Sequence, residues 1–354
     1  MDSQITSEPD RHACLPANAA GARVVNGSSM QNMIKIGSKT INTNVFLAPL
    51  AGCSDLAFRL ICREYGAKFC FFEMLDANSL IYSRIRSLRL IKTTEEDTPI
   101  AGQLLGRDPE KMLEAAHQLI DLVNISFLDI NCACPVRKVV KKKCGAYLLN
   151  DIDILSKLIK KLSSGLPVPV TAKIRIGYLE KDKKQITELA KLCEGSGASA
   201  LFVHGRTKTQ MYSGDVDYNL IKAVKEAVNI PVFGSGNILT PHLAKKMFDE
   251  TGCDGIIVAR GALGRPWMLK DIANYMEGKA VATVSMEMRK ATLKKHLSLL
   301  EKYKEVKDSI RVGFMRKISL WYLRDFEASA RVRGSICKVN SYSELLTFID
   351  SLPD

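Results

Sequence analysis

Eight short apolar runs recur through the middle of this chain and constrain its fold more than any other feature. They are rich in β-branched and aromatic residues, and their starts lie roughly 25 to 45 residues apart, which leaves room for a helix after each strand. The runs span residues 44–50, 67–75, 99–106, 125–133, 169–177, 200–206, 230–237 and 255–261. Alternating strands and helices predict a parallel sheet, and eight such units predict an α/β fold of the closed (β/α)₈ TIM-barrel type. An open, doubly wound sheet is the alternative, but it requires no such count of eight.

The segments between these runs have the spacing of amphipathic helices. In residues 109–122, apolar side chains recur at intervals of three and four, namely Met112, Ala115, Ala116, Leu119 and Leu122. Asp108 followed by Pro109 is a typical start for that helix. Beyond about residue 275 only helical spacing continues. We therefore predict a barrel over residues 34–275 and a small all-helical C-terminal domain over residues 276–354, joined near residues 277–284.

The N-terminal segment, the charge and the cysteines narrow the class of protein. Residues 1–33 have neither periodicity nor the continuous apolar segment of a secretory signal, so we predict a disordered N-terminal tail. No apolar run approaches the ~18 residues that a membrane span requires. Ten scattered cysteines favour reduced thiols in a cytoplasmic protein over a disulfide framework. The formal net charge of +13 favours an anionic partner, with nucleic acid ahead of a membrane surface.

Polar residues stand where six of the apolar runs end. They are Glu73, Gln103, Asn131, Lys173, His204 and Asn237. Taken singly, each is most simply a satisfied polar residue at the end of a strand. Because the active site of a (β/α)₈ barrel lies at the C-terminal ends of its strands, the six together predict one mouth lined for a polar ligand.

Two of the strand ends are rich in glycine, at residues 234–238 and 259–264. They belong to the seventh and eighth strand–helix loops, where barrels of this class often bind a phosphate through backbone N–H groups. Arg260 would add a charge-assisted contact. A phosphate at this edge and polar groups across the mouth suit flavin mononucleotide (FMN), with its ring over the centre of the barrel.

Six longer motifs resemble those of one enzyme family, the tRNA-dihydrouridine synthases. They are LAPLAGCSDLAFRLICREYGA, GQLLGRDPE, DINCACPVRKVV, AKIRIG, HGRTKTQMYSG and ARGALGRPWML, in the family's order and spacing. The likeness covers roughly residues 34–340, and the sequences of the motifs are most similar to those of the bacterial B-type branch. It implies an oxidoreductase that binds FMN, takes electrons from NADPH or NADH, and reduces the C5=C6 bond of a D-loop uridine in tRNA. We expect tRNA as the partner, no membrane, no metal and a monomeric protein.

The resemblance also implies three groups of cofactor-binding residues. The loop that would lie against the flavin consists of Pro49, Leu50 and Ala51. The residues that would surround the flavin ring are Gln103, Asn131, Lys173 and His204. The residues that would hold the phosphate are Ser235, Gly236, Asn237, Ala259 and Arg260. Gln103 and Lys173 would form hydrogen bonds with the ring itself.

The stretch NCACPVRKVVKKKCG, residues 131–145, places three cysteines among five basic residues. It could be a metal site, a redox pair, a solvated loop or a reactive thiol. A metal requires three or four ligands at a workable spacing, and a redox pair usually reads C-x-x-C. Cys132 and Cys134 are separated by a single residue, so they do not form the C-x-x-C pattern. We predict that Cys132 is in the core and that Cys144 is structural, which leaves Cys134 as the reactive candidate.

The resemblance makes Cys134 the proton donor of the reaction. Hydride would pass from flavin N5 to C6 of the uracil ring, and Cys134 would donate a proton to C5 from the other face. A thiol is mostly protonated at neutral pH and can therefore act as a general acid.

Basic residues in three segments are candidates for contact with RNA. They are Arg137, Lys138, Lys141, Lys142, Arg206, Arg316 and Lys317. The last two lie near Trp321 and Tyr322, and basic groups beside aromatic rings can grip a backbone and stack on bases. A solvated helix start is the alternative for the basic stretch after Cys134, and a core position is the alternative for Trp321.

Two other functions remain open on the sequence alone. One is an FMN-dependent TIM-barrel oxidoreductase that acts on a small pyrimidine or an enone, which leaves the basic excess and the helical region unexplained. The other is a catalytically silent RNA-binding protein, against which Cys134, Lys173 and His204 argue.

Overall fold

The structure is a computed structural model that describes residues 33–82, 84–324 and 329–353. Residues Asn32–Asp354 belong to one compact unit. The predicted disordered tail, residues 1–33, lies outside the described residues apart from Met33. Within the part of the chain that the structure describes, no helix combines the length and the apolar character needed to cross a membrane.

A short antiparallel hairpin precedes a parallel barrel. The hairpin consists of β1 (Ile34–Ile36) and β2 (Lys39–Ile41). The barrel strands are β3 (Val45–Leu47), β4 (Cys70–Phe71), β6 (Ile100–Leu105), β7 (Leu128–Cys132), β8 (Val170–Arg175), β9 (Leu201–His204), β10 (Val232–Ser235) and β11 (Gly255–Val258). All of their pairings are parallel, and β4 pairs with both β3 and β6, which closes the sheet. The predicted TIM barrel is confirmed, because each of the eight apolar runs contains one of the eight barrel strands.

The second run departs from the predicted single strand. Its strand β4 ends at Phe71, and a two-residue strand, β5 (Leu75–Asp76), pairs separately with the end of β6. The interruption contains Glu73, whose side chain is 5% exposed and accepts a hydrogen bond from the backbone N–H of Gly52. A buried carboxylate requires a donor, and here the donor belongs to the loop after β3.

Helices lie between the barrel strands, as predicted. They are α1 (Leu56–Glu64), α2 (Ala77–Tyr82), α3 (Arg84–Leu90), α4 (Pro109–Leu122), α5 (Arg137–Val140), α6 (Ile152–Gly165), α7 (Lys183–Gly195), α8 (Tyr218–Ala227), α9 (Pro241–Thr251) and α10 (Met268–Met276). Asp108 caps α4 by accepting hydrogen bonds from two backbone N–H groups of its first turn, and Pro109 is its first residue. The predicted face of α4 is buried except at its last residue, since Leu122 is 37% exposed.

Six phenylalanines fill the lower interior of the barrel. They are Phe46, Phe69, Phe71, Phe127, Phe202 and Phe233, each fully buried, and we call them the barrel floor. Their ring centroids lie as close as 4.4 Å, and the isoleucines of the β1–β2 hairpin pack in the same cluster. Aromatic burial on this scale makes the N-terminal half of the barrel a packed core, so only the C-terminal half is open to a ligand.

The regular elements among the described residues after α10 are all helices. They are α11 (Met286–Tyr303), α12 (Asp308–Tyr322), α13 (Ser329–Lys338) and α14 (Tyr342–Asp350). Their shared apolar core includes Leu297, Met315 and Ile336, and it reaches the barrel through Trp267. The gap between α10 and α11 matches the predicted junction near 277–284, although the division into two domains stays a prediction because both parts lie in one compact unit.

The loop after β11 meets α12 backbone to backbone. Gly264 has a φ of +70°, and a Cβ there would lie 2.3 Å from the carbonyl group of Trp321. Only glycine fits this position, since both the left-handed conformation and the close approach exclude a side chain.

Candidate active site

A cavity of about 440 Å³ opens at the C-terminal ends of the barrel strands. That volume is within the usual range for a cofactor or small-molecule site. Five of the six predicted strand-end residues line it, namely Gln103, Asn131, Lys173, His204 and Asn237. Glu73 does not line this cavity, because its carboxylate turns toward Gly52 instead. We call the cavity and these five residues the barrel mouth.

A chain of hydrogen bonds runs along the inner wall of the mouth. Gln103 donates from Nε2 to Oδ2 of Asp129 at 2.7 Å, and Asn131 donates from Nδ2 to Oε1 of Gln103 at 2.8 Å. Asn131 Oδ1 in turn accepts from the backbone N–H of Cys134 at 2.9 Å and from that of Ala133 at 3.2 Å. The two amides therefore connect a buried carboxyl to the backbone that carries the predicted proton donor.

Lys173 and Asp129 are ionisable groups in the wall of the barrel, where Asp129 is fully buried and Lys173 is half-buried. Burial raises the pKa of Asp129 above its usual range, although hydrogen bonds from Gln103 and Thr171 oppose the shift. Burial, followed by the charge of Arg175, lowers the pKa of Lys173. Among the described residues Lys173 has no hydrogen-bond or ion-pair partner, so its ammonium group is available to a ligand in the mouth.

His204 also presents an unpaired group to the mouth. Its Nε2 is buried and has no hydrogen-bond partner among the described residues. Burial, followed by the charges of Lys173, Arg175, Arg206 and Arg260, lowers the pKa of His204 to about 2. The imidazole is therefore neutral at physiological pH, and its unpaired nitrogen is ready to form a hydrogen bond with a bound molecule.

The two glycine-rich loops meet at one edge of the mouth. Gly236 has a φ of +125°, and a Cβ there would lie 2.8 Å from Val216, while a Cβ at Gly261 would lie 2.1 Å from the carbonyl oxygen of Ile238. Gly261 lets the two loop backbones approach each other closely, and Gly236 leaves room for the side chain of Val216. The predicted phosphate-binding residues all line this edge, namely Ser235, Gly236, Asn237, Ala259 and Arg260.

Arg260 is exposed at this edge and has weak protein contacts. Its guanidinium lies 3.4 Å from Oδ1 of Asn237 and 5.0 Å from the ring centroid of Tyr212. Both contacts leave most of its N–H donors free to bind an anion.

The loop after β3 forms another edge of the mouth. Pro49, Leu50 and Ala51 line the cavity as predicted, and Ser54 exchanges hydrogen bonds with the backbone of Leu50 at 2.8 and 3.1 Å. The carbonyl of Gly52 accepts a hydrogen bond from the ammonium of Lys317, a residue of α12. The helical region therefore contacts the loop that borders the mouth directly.

The three cysteines of residues 131–145 have different environments. Cys134 is half-buried and lines the mouth, whereas Cys132 is fully buried in the apolar core. Cys132 is therefore in the core, as predicted, and Cys134 lies beyond the end of β7, where the chain leaves the strand. Cys144 is buried with Leu105 and Val139, beside Cys134. The Cys134 carbonyl accepts from the backbone N–H of Ala146 at 3.0 Å, which closes the basic segment into a compact loop.

The predicted RNA-binding residues have two kinds of environment. The residues of the basic segment formed by α5 and the turn after it are exposed beside the mouth, namely Arg137, Lys138, Lys141 and Lys142. Arg206 is only 1% exposed and donates to the backbone carbonyls of Ser213 and Gly214, so it offers no surface to RNA in this structure. Arg316 is half-buried and donates to the carbonyl of Val339, and Lys317 is engaged with Gly52. Trp321 packs partly buried against the helical core, with Lys317 5.2 Å from its ring.

Sequence reasoning missed two buried residues that organise the mouth. Arg175 donates to the carbonyl of Ala133 at 2.7 Å and to those of Thr207 and Met211 at 2.8 Å, so it ties the Cys134 loop to a neighbouring loop. Asp129 holds Gln103 and Thr171. The available signal was strand alternation, since Arg175 follows Lys173 and Asp129 precedes Asn131 by two positions on the same face.

A second cavity, of about 330 Å³, lies between the loop after β3 and helices α11 and α12. Its lining is mostly apolar and includes Leu56, Leu300 and Phe314, with Glu73 at one side. Burial raises the pKa of Glu73, and its Oε1 has no partner among the described residues. No group of three or more potential metal ligands was found in the described ranges of the chain.

Comparison with known proteins identifies the family to which this fold and mouth belong. Residues 46–352 match the model of the dihydrouridine synthase family. The chain is 35% identical to tRNA-dihydrouridine synthase B of Pseudomonas aeruginosa, over 86% of this chain and 90% of the relative. It is 36% identical to the enzyme of the same name from Vibrio parahaemolyticus, over 87% and 95%. The chain therefore belongs to the dihydrouridine synthase family, an oxidoreductase family, which confirms the resemblance read from its motifs.

Solved structures with the same architecture are more distant. An old yellow enzyme homologue from Zymomonas mobilis superposes with a TM-score of 0.52 at 13% identity, covering 74% of this chain and 96% of that one. Histamine dehydrogenase from a Rhizobium species gives a TM-score of 0.55 at 12% identity, covering 76% of this chain and 50% of the other. At such low identity these likenesses support the barrel fold alone.

Proposed function

We propose that this protein is an FMN-dependent tRNA-dihydrouridine synthase that reduces the C5=C6 bond of a D-loop uridine with NADPH or NADH. The observation that carries the proposal is the mouth itself. A half-buried thiol, Cys134, lines the same cavity as the unpartnered groups of Lys173 and His204. Family membership supplies the reaction class, and the relatives described above are named for the same activity.

The residues present in the mouth fit an FMN. The buried, unpartnered Nε2 of His204 and the ammonium of Lys173 would bind polar atoms of the ring, together with Gln103. The backbone N–H groups of the two glycine-rich loops and the free donors of Arg260 suit its phosphate. When bound, FMN would supply the hydride that the uracil ring takes up at C6.

In this proposal the protein's own chemical step is proton donation. Cys134 would donate its thiol proton to C5 of the uracil, because the carbon next to the new C–H bond carries the developing negative charge. Asn131 would keep the thiol in place by accepting the backbone N–H of Cys134, and Arg175 by donating to the carbonyl of Ala133. Both contacts come from strand residues, which position a loop more firmly than another loop could.

The partner would be tRNA, bound by a monomer in the cytoplasm. The exposed basic segment at Arg137, Lys138, Lys141 and Lys142 flanks the mouth, where phosphates next to a flipped uridine would pass. The helical region would extend this surface as a tRNA-binding domain. Arg206 and Lys317 are engaged with the protein's own backbone, so their support for RNA binding is indirect, through the loops they hold.

The test is to purify the protein and give it NADPH with tRNA from cells that lack dihydrouridine. We expect a yellow protein that releases FMN on denaturation, and dihydrouridine at one D-loop position of the tRNA by mass spectrometry. Free uridine and uracil serve as the matched substrates. Turnover of these small pyrimidines with no change in the tRNA would favour the alternative oxidoreductase, and a protein that binds tRNA but ignores added FMN would be a silent binder.

A further inference from the structure

We propose that Asp129 is a positioning residue that fixes the orientation of the Gln103 and Asn131 amides and thereby the position of Cys134. The inference rests on the proposed function, because it assigns Cys134 a proton to deliver. Asp129 lies one step below the mouth and touches neither the cavity nor Cys134 directly. Its effect would therefore pass through the two amides.

The strand register places Asp129 between two donors. In the parallel sheet Asp129 on β7 stands opposite Gln103 on β6 and Thr171 on β8. One carboxyl oxygen accepts from Gln103 Nε2 at 2.7 Å, and the other accepts from the Thr171 hydroxyl at 2.7 Å. The side chain is fully buried, so no solvent competes for either oxygen.

An amide has a donor end and an acceptor end, so its orientation must be set by its neighbours. The Asp129 oxygen accepts, which requires Gln103 to present its NH₂ group and leaves Oε1 to face Asn131. Oε1 accepts, which requires Asn131 to present its NH₂ group and leaves Oδ1 to face the backbone N–H of Cys134. Each orientation thus depends on the one before it.

Flipping the two amides would place acceptor against acceptor at one end of the hydrogen-bond chain and donor against donor at the other. If Gln103 flipped, its carbonyl oxygen would face the Asp129 carboxyl, and its NH₂ would force Asn131 to flip as well. The NH₂ of Asn131 would then face the N–H of Cys134, two donors in contact with no acceptor between them. A buried carboxyl is costly where an apolar side chain could pack, so its role lies in what it accepts.

Two substitutions that keep the side-chain volume test this inference best. In Asp129→Asn the new oxygen can still accept from Gln103, while its NH₂ donates to the Thr171 hydroxyl, so we expect little change. In Thr171→Val alone, Asp129 still accepts the hydrogen bond from Gln103, so the rate should again change little. The double variant, Asp129→Asn with Thr171→Val, removes the acceptor for the new NH₂, so the amides lose their set orientation. We expect oxidation of the reduced flavin by tRNA to slow about 10-fold to 100-fold in the double variant only.

Two further measurements separate positioning from general damage. In the Cys134→Ala background the same double substitution should cost almost nothing in that step, because the group being positioned is gone. NMR of the side-chain amide groups of Gln103 and Asn131 needs no tRNA and should show shifted or doubled signals in the double variant alone. Because the NMR result does not depend on activity, it distinguishes a failure of this inference from a failure of the proposed function.

Two results would overturn the assignment of Asp129. One is equal rates in the double variant and both single variants, with unchanged amide signals. The other is equal slowing by the double substitution with and without Cys134, since that would place its effect outside the thiol.

Discussion

The lower and upper halves of the barrel interior are built from the same strands, but the lower half is an apolar core and the upper half is a polar cavity. On β9, Phe202 is fully buried among other rings of the barrel floor, with Phe233 at a centroid distance of 4.6 Å. Two positions further along the same strand, His204 lines the barrel mouth with a buried nitrogen that has no partner. The change from an apolar floor to a polar mouth takes only two residues, because alternate residues of a strand share a face.

This difference shows where stability and function are separated. Apolar rings in the floor gain the full benefit of burial, about 1.5–3 kcal/mol for each fully buried phenylalanine. In the mouth, burial instead lowers the pKa values of Lys173 and His204 and therefore works against their charged forms. The floor can offset that cost, so the mouth can keep groups that only a ligand would satisfy.

The largest expected effect in the mouth is that of Cys134→Ala. The variant should retain FMN and tRNA binding, and NADPH should still reduce its flavin, since that half-reaction needs no thiol. Oxidation of the reduced flavin by tRNA, followed by stopped-flow absorbance, should slow by roughly 10²–10⁴. Cys132→Ala and Cys144→Ala are the matched controls and should change this rate little. Equal slowing in all three variants would remove Cys134 as the proton donor.

In the floor, Phe202→Ala should show the opposite pattern. Removing the ring leaves a cavity among five other phenylalanines, and we expect a loss of about 3–5 kcal/mol in the free energy of unfolding. Urea titration followed by circular dichroism measures it, and the flavin of the folded fraction should keep its visible spectrum. A stability loss below about 1 kcal/mol would mean that the floor is not the main core of the barrel.

Arg260→Ala should weaken the retention of FMN without affecting stability. A charge-assisted hydrogen bond contributes about 1.5–3 kcal/mol, so the dissociation constant should rise roughly 10-fold to 150-fold. Fluorescence titration of the apoprotein with FMN measures the change. Lys246→Ala, an exposed cation near Tyr218 and outside the mouth, is the control. Riboflavin, which lacks the phosphate, should bind both variants equally, and a loss of riboflavin binding in Arg260→Ala would contradict the phosphate assignment.

The smallest of these effects is a pH dependence that the mouth has and the floor lacks. The folded chain holds the pKa of His204 near 2, while in the unfolded chain it returns to about 6.5. Below pH 6.5 the unfolded state therefore takes up a proton that the folded state does not, so stability is full above pH 6.5 and falls as the pH drops. Between pH 7.5 and 5 the apoprotein should lose about 2 kcal/mol through this group.

The matched variants for this measurement are His204→Asn and Phe202→Leu. His204→Asn should lose less stability than the wild type over the same pH range, because the titrating group is gone. Phe202→Leu should keep the wild-type pH dependence at a lower stability. If His204→Asn loses as much stability as the wild type, another group, such as the buried His296, is responsible for the acid sensitivity.

The eight strands could be predicted because a strand that is buried on both faces is a continuous apolar run. The mouth residues Gln103, Asn131, Lys173 and His204 could be predicted because they interrupt such runs with polar groups. The break in the second run was not predicted, since it depends on Glu73 finding a donor at Gly52, 21 residues earlier.

The burial of Arg206 and the role of Arg175 could not be predicted from the sequence either. Both side chains are held by backbone carbonyls, which every residue carries, so no residue type marks the partner in the sequence. A basic residue that binds its own chain and one that faces RNA look the same in a pattern of charges. Only the basic residues in and after α5, such as Arg137 and Lys141, keep the exposed environment that the charge pattern predicts.

The contact at Gly264 has a consequence for how an RNA could be selected. Because two main chains meet there with no side chain between them, the spacing of barrel and helices cannot adjust through a change of rotamer. The contact therefore fixes the spacing between the loop after β11 and α12. If the helical region binds tRNA as proposed, an RNA with a different distance between its helix-bound part and its target base would not bring that base to Cys134. The nucleotide would then be selected by the shape of the RNA, without specific contacts to the bases around it.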